Sequence, residues 1–355
     1  MTKLFESLTE MGHEQVLFCH DPERNLRAII AIHDASLGTA MGATRLFPYA
    51  SEADALKDAL RLSRGMTYKA ACANIPVGGG KAVIIAHPSE KNEDFLRAYG
   101  RFVDNLQGRF ITGQDVNLTP EDVNVIRQET PHVVGLSTQS IGPAPITARG
   151  VFLGIKAAVE FQLQTTNLEG LKVAVQGLGN VGSNLCQHLH AQGVKLYVAD
   201  VSQEKTEFAK RLYDATVVEP EEIYSQDVDV FAPCALGGIL NSHTIPQIKA
   251  SIVAGAANNQ LDREHIHSYL LNEMNILYCP DYVINAGGLI DVYNEKIGYD
   301  QERVLKQVNG IYHTLLEIFI KAKQQKITTQ QAAKQLAEER IVKAKNAKKV
   351  MAMSY

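Results

Sequence analysis

The chain has 355 residues, of which 45% are hydrophobic and 21% charged, with a net charge of −4 at neutral pH and a pI near 6.3. That length exceeds one ordinary core and suggests two domains. The weakly acidic balance gives no electrostatic ground for nucleic acid or an anionic membrane as partner. No stretch approaches ~18 uninterrupted apolar residues, the N-terminal MTKLFESLTEMGHEQ lacks the apolar run of a signal peptide, and five scattered cysteines without a Cys-x-x-Cys pair read as reduced thiols. A cytoplasmic protein is expected.

In chain order, QVLFCH (15–20) and RAIIAIHD (27–34) read as strands parted by the turn signal Asp21-Pro22. Ser51 offers an N-cap to a helix that carries Ala55, Leu56, Ala59, Leu60 and Leu62 on one face and runs to about Gly65. Gly78-Gly79-Gly80 reads as a turn before a strand at 82–86. A helix over 93–106 and the strand RFITG (109–113) follow, and Thr119-Pro-Glu-Asp122 is a helix start. This makes a mixed-sheet α/β domain over 1–140. Ser140-Ile-Gly-Pro-Ala-Pro145 reads as a linker, and Thr147 opens a helix with Val151, Ile155, Ala158 and Val159 on one face. From Leu171 strands alternate with helices (KVAVQG, SNLCQHLHAQG, VKLYVAD, then VDVFAPC, SIVAGAAN and ILYCPDYV), which argues for a parallel sheet over 141–325. A long helix around 301–323 precedes an amphipathic one from Thr328 to about Lys345, which is expected to return to the first domain as a segment 326–355. The basic tail 343–355 reads as frayed and solvated.

The first chemical signal is Gly65-Met-Thr-Tyr-Lys69 followed by Gly78-Gly79-Gly80-Lys81. Glycine lets a backbone approach a ligand and adopt positive φ, and on this reading nothing about a packed core calls for three of them before a cation. A lysine among Ile75, Pro76, Val77, Val83 and Ile84 can lose water and become a base near neutral pH. A single lysine at the mouth of a glycine turn also reads as a solvated surface charge. Gly177-Leu-Gly179-Asn-Val-Gly182 follows one strand and opens a helix. In that context the glycines permit a tight turn, a pyrophosphate approach and close helix packing, with the helix N-terminus facing the diphosphate. Asp200 closes the next strand and suits the adenosine ribose hydroxyls; Val201-Ser202 adds no arginine, which favours NAD over NADP.

Asp115, after RFITG, reads alone as a cap or turn residue and beside two lysines as a proton partner. Gly255-Ala-Ala-Asn258-Asn259-Gln260 reads equally as a helix cap or as small residues and amides close to a cofactor ring, and Asp281-Tyr-Val-Ile-Asn285-Ala-Gly-Gly288 as a turn with a polar anchor. His188/His190 and His265/His267 are spaced two apart, unsuited to a shared metal on a helix, so no metal site is expected.

MGATR (41–45), GMTYK (65–69), GGGK (78–81), TGQDV (112–116), GLGNVG (177–182), CALGG (234–238), AANNQ (256–260) and DYVINAGG (281–288) together resemble the glutamate/leucine/phenylalanine/valine dehydrogenase superfamily, in its short leucine/phenylalanine branch, over nearly the whole chain. The resemblance implies NAD-dependent, reversible oxidative deamination of an L-amino acid to a 2-oxo acid, on domains that close to exclude water. It implies Lys69 gripping the substrate carboxylate with the backbone at Gly42, Lys81 as general base, and Asp115 as proton shuttle. Thr147, Ala235, Ala256, Asn258 and Asn285 join Gly177, Leu178, Gly179, Asn180, Val181, Gly182 and Asp200 around the cofactor, with Asn259 at the substrate amino group. Met41, Ile111, Gly113, Leu289, Val292 and Tyr293 would surround the side chain. Met41 is an adaptable wall, and Gly113 stands where leucine-specific members often have alanine. Resemblance over the whole chain points to tryptophan, with phenylalanine or a branched-chain amino acid as alternatives. Assembly through the first domains implies a homo-oligomer, with a dimer expected. A non-catalytic NAD-binding regulator could dispense with Lys69, Lys81 and Asp115. A hydroxy-acid dehydrogenase would need a histidine–carboxylate pair.

Overall fold

In a computed structural model, residues 4–353 are described. The chain divides into two compact units, the first running up to Ser140 with Val292–Tyr299 and the segment from Ala337, the second formed by Ile141–Asp291 and Asp300–Leu336.

The first unit opens with helix α1 (Leu4–Met11) and the antiparallel hairpin β1 (Gln15–Asp21) and β2 (Leu26–Asp34). The Asp21 carboxylate accepts from the backbone N–H of Glu23 and Arg24 at 3.1 and 3.3 Å, which forms the turn between them. Strands β3 (Ala40–Met41), β4 (Thr44–Phe47), β5 (Gly78–Ile85) and β6 (Phe110–Ile111) complete a mixed sheet ordered β1-β2-β5-β3-β6, with β4 also on β5. Helix α2 (Glu52–Cys72) covers one face; α3 (Glu93–Asp104) and α4 (Pro120–Arg127) lie with the other. Because side chains alternate along a strand, Ile30, Ile32, Ala82 and Ile84 pack with Phe95 and Tyr99 of α3, while Ile29, Ala31, Val83 and Ile85 pack with Ala55, Leu56, Ala59 and Leu60 of α2.

Four expectations change here. Helix α2 passes through Gly65 to Cys72, because Ser63, Thr67, Ala70 and Ala71 bury against the sheet and offset the ~1 kcal/mol that a helical glycine costs. Leu62 is half-buried, off the face formed by Ala55, Leu56, Ala59 and Leu60. The strand over 109–113 shortens to Phe110–Ile111, with only an isolated bridge at Thr112. The three glycines are strand, not turn: β5 begins at Gly78. A Cβ on Gly79 would lie 2.1 Å from the Thr67 hydroxyl oxygen and 2.3 Å from the Ser63 carbonyl oxygen. Packing of α2 on β5 therefore does require glycine there.

The second unit carries α5 (Pro143–Leu163), β7 (Lys172–Gln176), α6 (Asn180–His190), β8 (Lys195–Ala199), α7 (Gln203–Tyr213), β9 (Thr216–Val217), β10 (Val230–Pro233), β11 (Ile252–Val253), α8 (Glu264–Glu273) and β12 (Leu277–Tyr278). After these come α9 (Asp281–Ile284), α10 (Gly287–Lys296), α11 (Gln301–Gln325) and α12 (Thr329–Met353). The sheet order is β12-β11-β10-β7-β8-β9, every pair parallel. Helix α5 starts at Pro143, four residues before Thr147, since the missing N–H of a first-turn proline has no helical partner to lose. In residues 281–288 the turn is confined to Asn285-Ala286, between the helical α9 and the start of α10. Helices α10 and α12 each contribute residues to both units. The tail is helical to Met353 and is held rather than merely solvated: Lys345 pairs with buried Asp34 at 2.7 Å and Lys348 donates to the Ala35 carbonyl at 2.9 Å. Just before it, Arg340 donates to the carbonyls of Ala71 and Cys72 at the end of α2, at 3.0 and 2.9 Å.

Candidate active site

Lys81 sits on β5 with the parity of Gly79, Val83 and Ile85, so its side chain leaves the strand toward α2. It is 6% exposed. Its ammonium donates to Asp115 Oδ2, and Asp115 follows β6 on the loop whose Gln114 bridges to Thr44. Burial pushes the Lys81 pKa down; the Asp115 carboxylate pulls against this, and the Arg45 guanidinium adds to the lowering. For Asp115 burial acts upward, but Lys81 and then Arg45 more than reverse it and hold the carboxyl below its usual range. The pair is therefore a lysine eased toward its neutral form against a carboxylate that stays ionised, the combination wanted in a general base with a proton-passing partner.

Lys69 lies half-buried in the last turn of α2, the helix packed on β5. Gly42 is pinned in the sheet, its N–H donating to the Ile111 carbonyl at 3.0 Å, and a Cβ there would lie 1.6 Å from the Gly80 carbonyl oxygen. Met41 and Ile111 are register partners on β3 and β6, both buried. Gly113 is buried, and a methyl there would meet the Val134 carbonyl oxygen at 3.0 Å. An alanine there would need the Val134 carbonyl to give by a few tenths of an ångström. Val292 and Tyr293 are half-buried on α10 within the first unit; Leu289 is buried on the same helix within the second.

Sequence reasoning passed over Arg45, Asp58 and Tyr49. Arg45 donates through Nε to Asp115 Oδ2 at 3.3 Å and through Nη1 to Asp58 Oδ2 at 2.9 Å, and the Tyr49 hydroxyl donates to that Asp58 oxygen at 2.6 Å. Arg45 thus sets a guanidinium beside the Lys81–Asp115 pair. Its signal was the last letter of MGATR, on a strand whose neighbours could not be paired from the sequence.

In the second unit the glycine loop follows β7. Gly177 takes φ +94°, the left-handed region that glycine alone adopts freely, and packs on Ala235. Gly182 sits where a Cβ would lie 1.9 Å from the Gly177 carbonyl oxygen, whereas a Cβ on Gly179 would meet nothing within 4 Å among the described residues. Leu178 is buried, Val181 half-buried and Asn180 exposed at the first turn of α6. Asp200, after β8, accepts from the backbone N–H of Leu178 at 2.6 Å and of Ser202 at 2.8 Å, which ties the two strand ends together. Ala235, Ala256 with Asn258, and Asn285 follow β10, β11 and β12. All these groups gather at the carboxyl edge of the parallel sheet, where the chain order reverses between β7 and β10, the usual place for a dinucleotide. Asn285 donates to Ala256 O at 3.0 Å and to Asn258 Oδ1 at 2.7 Å, and its own Oδ1 is buried without a partner among the described residues. Asn259 is exposed at φ 50°. Thr147 packs against Gly287 and Gly288, its hydroxyl donating to Pro143 O at 2.6 Å. An open second glycine, exposed first-turn N–H groups and an unsatisfied amide oxygen fit a nicotinamide dinucleotide. Among the described residues, no cluster of histidine, cysteine and acidic side chains could hold a metal.

A parallel nucleotide-type sheet and a buried Lys–Asp pair on a separate mixed sheet define an amino acid dehydrogenase. The family models agree: the Glu/Leu/Phe/Val dehydrogenase dimerisation domain matches residues 13–133, and the glutamate/leucine/phenylalanine/valine dehydrogenase model matches 141–206 and 196–349. The chain belongs to this family, whose Rossmann-type domain takes a nicotinamide cofactor. It is 69% identical over 345 residues to L-tryptophan dehydrogenase of Nostoc punctiforme, covering 97% of this chain and 98% of that one. It is 49% identical to leucine dehydrogenase of Bacillus cereus, over 98% of this chain and 95% of the relative. The crystal structure of L-tryptophan dehydrogenase from Nostoc punctiforme superposes with a TM-score of 0.89 at 67% identity, covering 96% of this chain and 99% of that structure.

Proposed function

We propose that the protein oxidises L-tryptophan with NAD⁺ and water to indole-3-pyruvate, ammonium, NADH and a proton, reversibly. The observation that carries the reaction is the buried Lys81 ammonium on the Asp115 carboxylate. Identity of 69% over nearly the full length of a tryptophan dehydrogenase, against 49% for a leucine dehydrogenase, supports the aromatic substrate. Asp200 at the end of β8, with Val201-Ser202 and no arginine beside it, supports NAD over NADP.

Gly177, Leu178, Gly179, Asn180, Val181, Gly182 and Asp200 would hold the adenosine and diphosphate, with Thr147, Ala235, Ala256, Asn258 and Asn285 nearer the nicotinamide. When bound, the cofactor supplies the hydride acceptor. Lys69 holds the substrate carboxylate with the backbone at Gly42, and Asn259 takes the amino group. Met41, Ile111, Gly113, Leu289, Val292 and Tyr293 receive the side chain. Neutral Lys81 takes a proton from the water that adds to the substrate imine. Asp115 relays that proton from Lys81 to the nitrogen of the carbinolamine formed from the protonated imine. Lys81, neutral again, takes the hydroxyl proton as C=O forms and the C–N bond breaks, and the departing ammonia then takes that proton to leave as ammonium. With its pKa held low, Asp115 passes the proton on rather than storing it.

A cytoplasmic homodimer is the setting we propose. The matched dimerisation domain and Phe18, 58% exposed on the edge strand β1, support a self-association surface. The five cysteines form no disulfide among the described residues, which suits a reducing compartment, and no described helix is long and apolar enough to cross a membrane. The deciding experiment is a spectrophotometric assay of tryptophan, phenylalanine and leucine with NAD⁺ and NADP⁺, alongside light scattering for mass. Tryptophan with NAD⁺ is expected to have the highest kcat/KM. Turnover of leucine without aromatics would overturn the substrate, and preference for NADP⁺ the cofactor.

A further inference from the structure

We propose that Arg45 is a positioning residue of the reaction: braced by Asp58, it holds the Asp115 carboxylate in place and in charge balance while Lys81 gains and loses its proton. The inference rests on reading Lys81 and Asp115 as the proton-moving pair.

The four side chains form a line of alternating charge drawn from separate elements of the first unit: Lys81 on β5, Asp115 after β6, Arg45 on β4 and Asp58 on α2, with Tyr49 closing the far end. Lys81 and Arg45 both reach Oδ2 of Asp115, so that carboxylate cannot swing without breaking two charge-assisted contacts. A base must spend part of each cycle uncharged. With Lys81 as its sole counter-charge, Asp115 would then be left as an uncompensated anion in a largely buried position, and its proton affinity would climb. Arginine keeps its charge throughout. Its planar fork also reaches Asp115 through Nε and Asp58 through Nη1, a fixed spacing of donors that a single ammonium lacks. Electrostatics point the same way: burial, then Arg45, lower Lys81 against the pull of Asp115 and Asp58, and Arg45 helps hold Asp115 down.

The brace is also reachable. Arg45 and Asp58 line a solvent-open cavity of about 310 Å³ with Tyr49, Lys57 and Arg61. A guanidinium ion from solution can therefore enter the place that a truncated Arg45 would leave.

The test compares Arg45→Ala, Arg45→Lys and Asp58→Asn with Lys81→Ala and Asp115→Asn as references, using the full-length protein with tryptophan and NAD⁺. Arg45→Ala is expected to lower kcat by about 10- to 100-fold through misplacement of Asp115, with NADH binding by fluorescence unchanged. The acid limb of the deamination pH profile should move to higher pH, since removing the guanidinium raises Lys81. Added guanidinium should restore kcat in Arg45→Ala but not in Asp115→Asn. Arg45→Lys should return the pH limb while recovering kcat only in part. Should Arg45→Ala fail to fold, Asp58→Asn decides: its limb should move to lower pH, because Asp58 raises Lys81. Wild-type kcat and an unmoved limb in Arg45→Ala, or an unmoved limb in Asp58→Asn, would overturn the role of Arg45 while Asp115→Asn is inactive. Wild-type turnover in Asp115→Asn would instead overturn the reading beneath it.

Discussion

The first unit builds its site from charged side chains gathered and partly withdrawn from water, whereas the second builds its site from backbone groups left exposed at strand ends. Lys81, Asp115, Arg45 and Asp58 must each be carried to one point by a different strand, loop or helix. The loop from Gly177 to Gly182 needs only one strand, one turn and one helix in sequence. Glycine itself divides along the same line. Gly79 is extended and glycine because α2 presses on it, while Gly177 is glycine because its backbone turns left-handed. One kind of site depends on exact packing beneath it; the other depends on local conformation and on empty space in front of it.

Removing charge should separate the two most sharply. Lys81→Ala takes away the base and should lower turnover by about 10²- to 10⁴-fold, with NADH binding largely intact because the glycine loop lies in the other unit. Wild-type-like turnover in that variant would remove the mechanism. A pair of alanines then contrasts the glycines. Gly79→Ala drives a methyl into Thr67 and Ser63 and should cost about 1–3 kcal/mol of stability as overpacking, read as a lowered Tm. Gly179→Ala meets nothing within 4 Å among the described residues. It should leave Tm unchanged and weaken NADH binding by about tenfold, roughly 1.4 kcal/mol. A drop in Tm for Gly179→Ala with unchanged NADH affinity would erase the distinction.

The same division explains what could be read in advance. GLGNVG, Asp200 and the alternation of strands and helices from Leu171 are local patterns, and the parallel sheet follows from them. Capping chemistry was equally local: Ser51 accepts from Asp54 N, and Thr119 forms a capping box with Asp122. Failures came where distant segments decide the outcome. Helix α2 runs past Gly65 because the sheet rewards its later turns. Gly78 to Gly80 look like a ligand-facing turn until α2, β3 and Phe110 are in place around them. Arg45 is one basic residue among 35 in the sequence, and only the pairing of β4 with β5 shows that it shares a carboxylate with Lys81.

Acid should expose the difference once more, with a smaller effect. In the first unit, His33 lies between Thr67 (Nδ1 to Oγ1, 2.8 Å) and the Met11 carbonyl (Nε2, 3.1 Å), its ring 4.9 Å from that of His13. The carbonyl requires a proton on Nε2, so in the neutral ring Nδ1 accepts from the threonine hydroxyl. Burial lowers both histidines to about 4, and for His13 the neighbouring His33 adds to it. Because these folded values lie below the unfolded 6.5, the unfolded chain binds more protons between pH 6.5 and 4. Stability is therefore complete above that window and falls as pH drops through it, by no more than about 2 kcal/mol per ring at pH 5. Hydrogen exchange at pH 7 and pH 5 should show β2 and α2 losing more protection than β7 and α6; equal loss in both would sink the prediction. His188, on α6, and His267, on α8, are also lowered by burial, but neither ring bonds to residues 177–182 among the described residues. His33 does hold Thr67, the side chain pressed against Gly79 two residues before Lys81. Protonating it loosens the packing under the base, so acid should cost this enzyme its catalytic unit before its nucleotide fold.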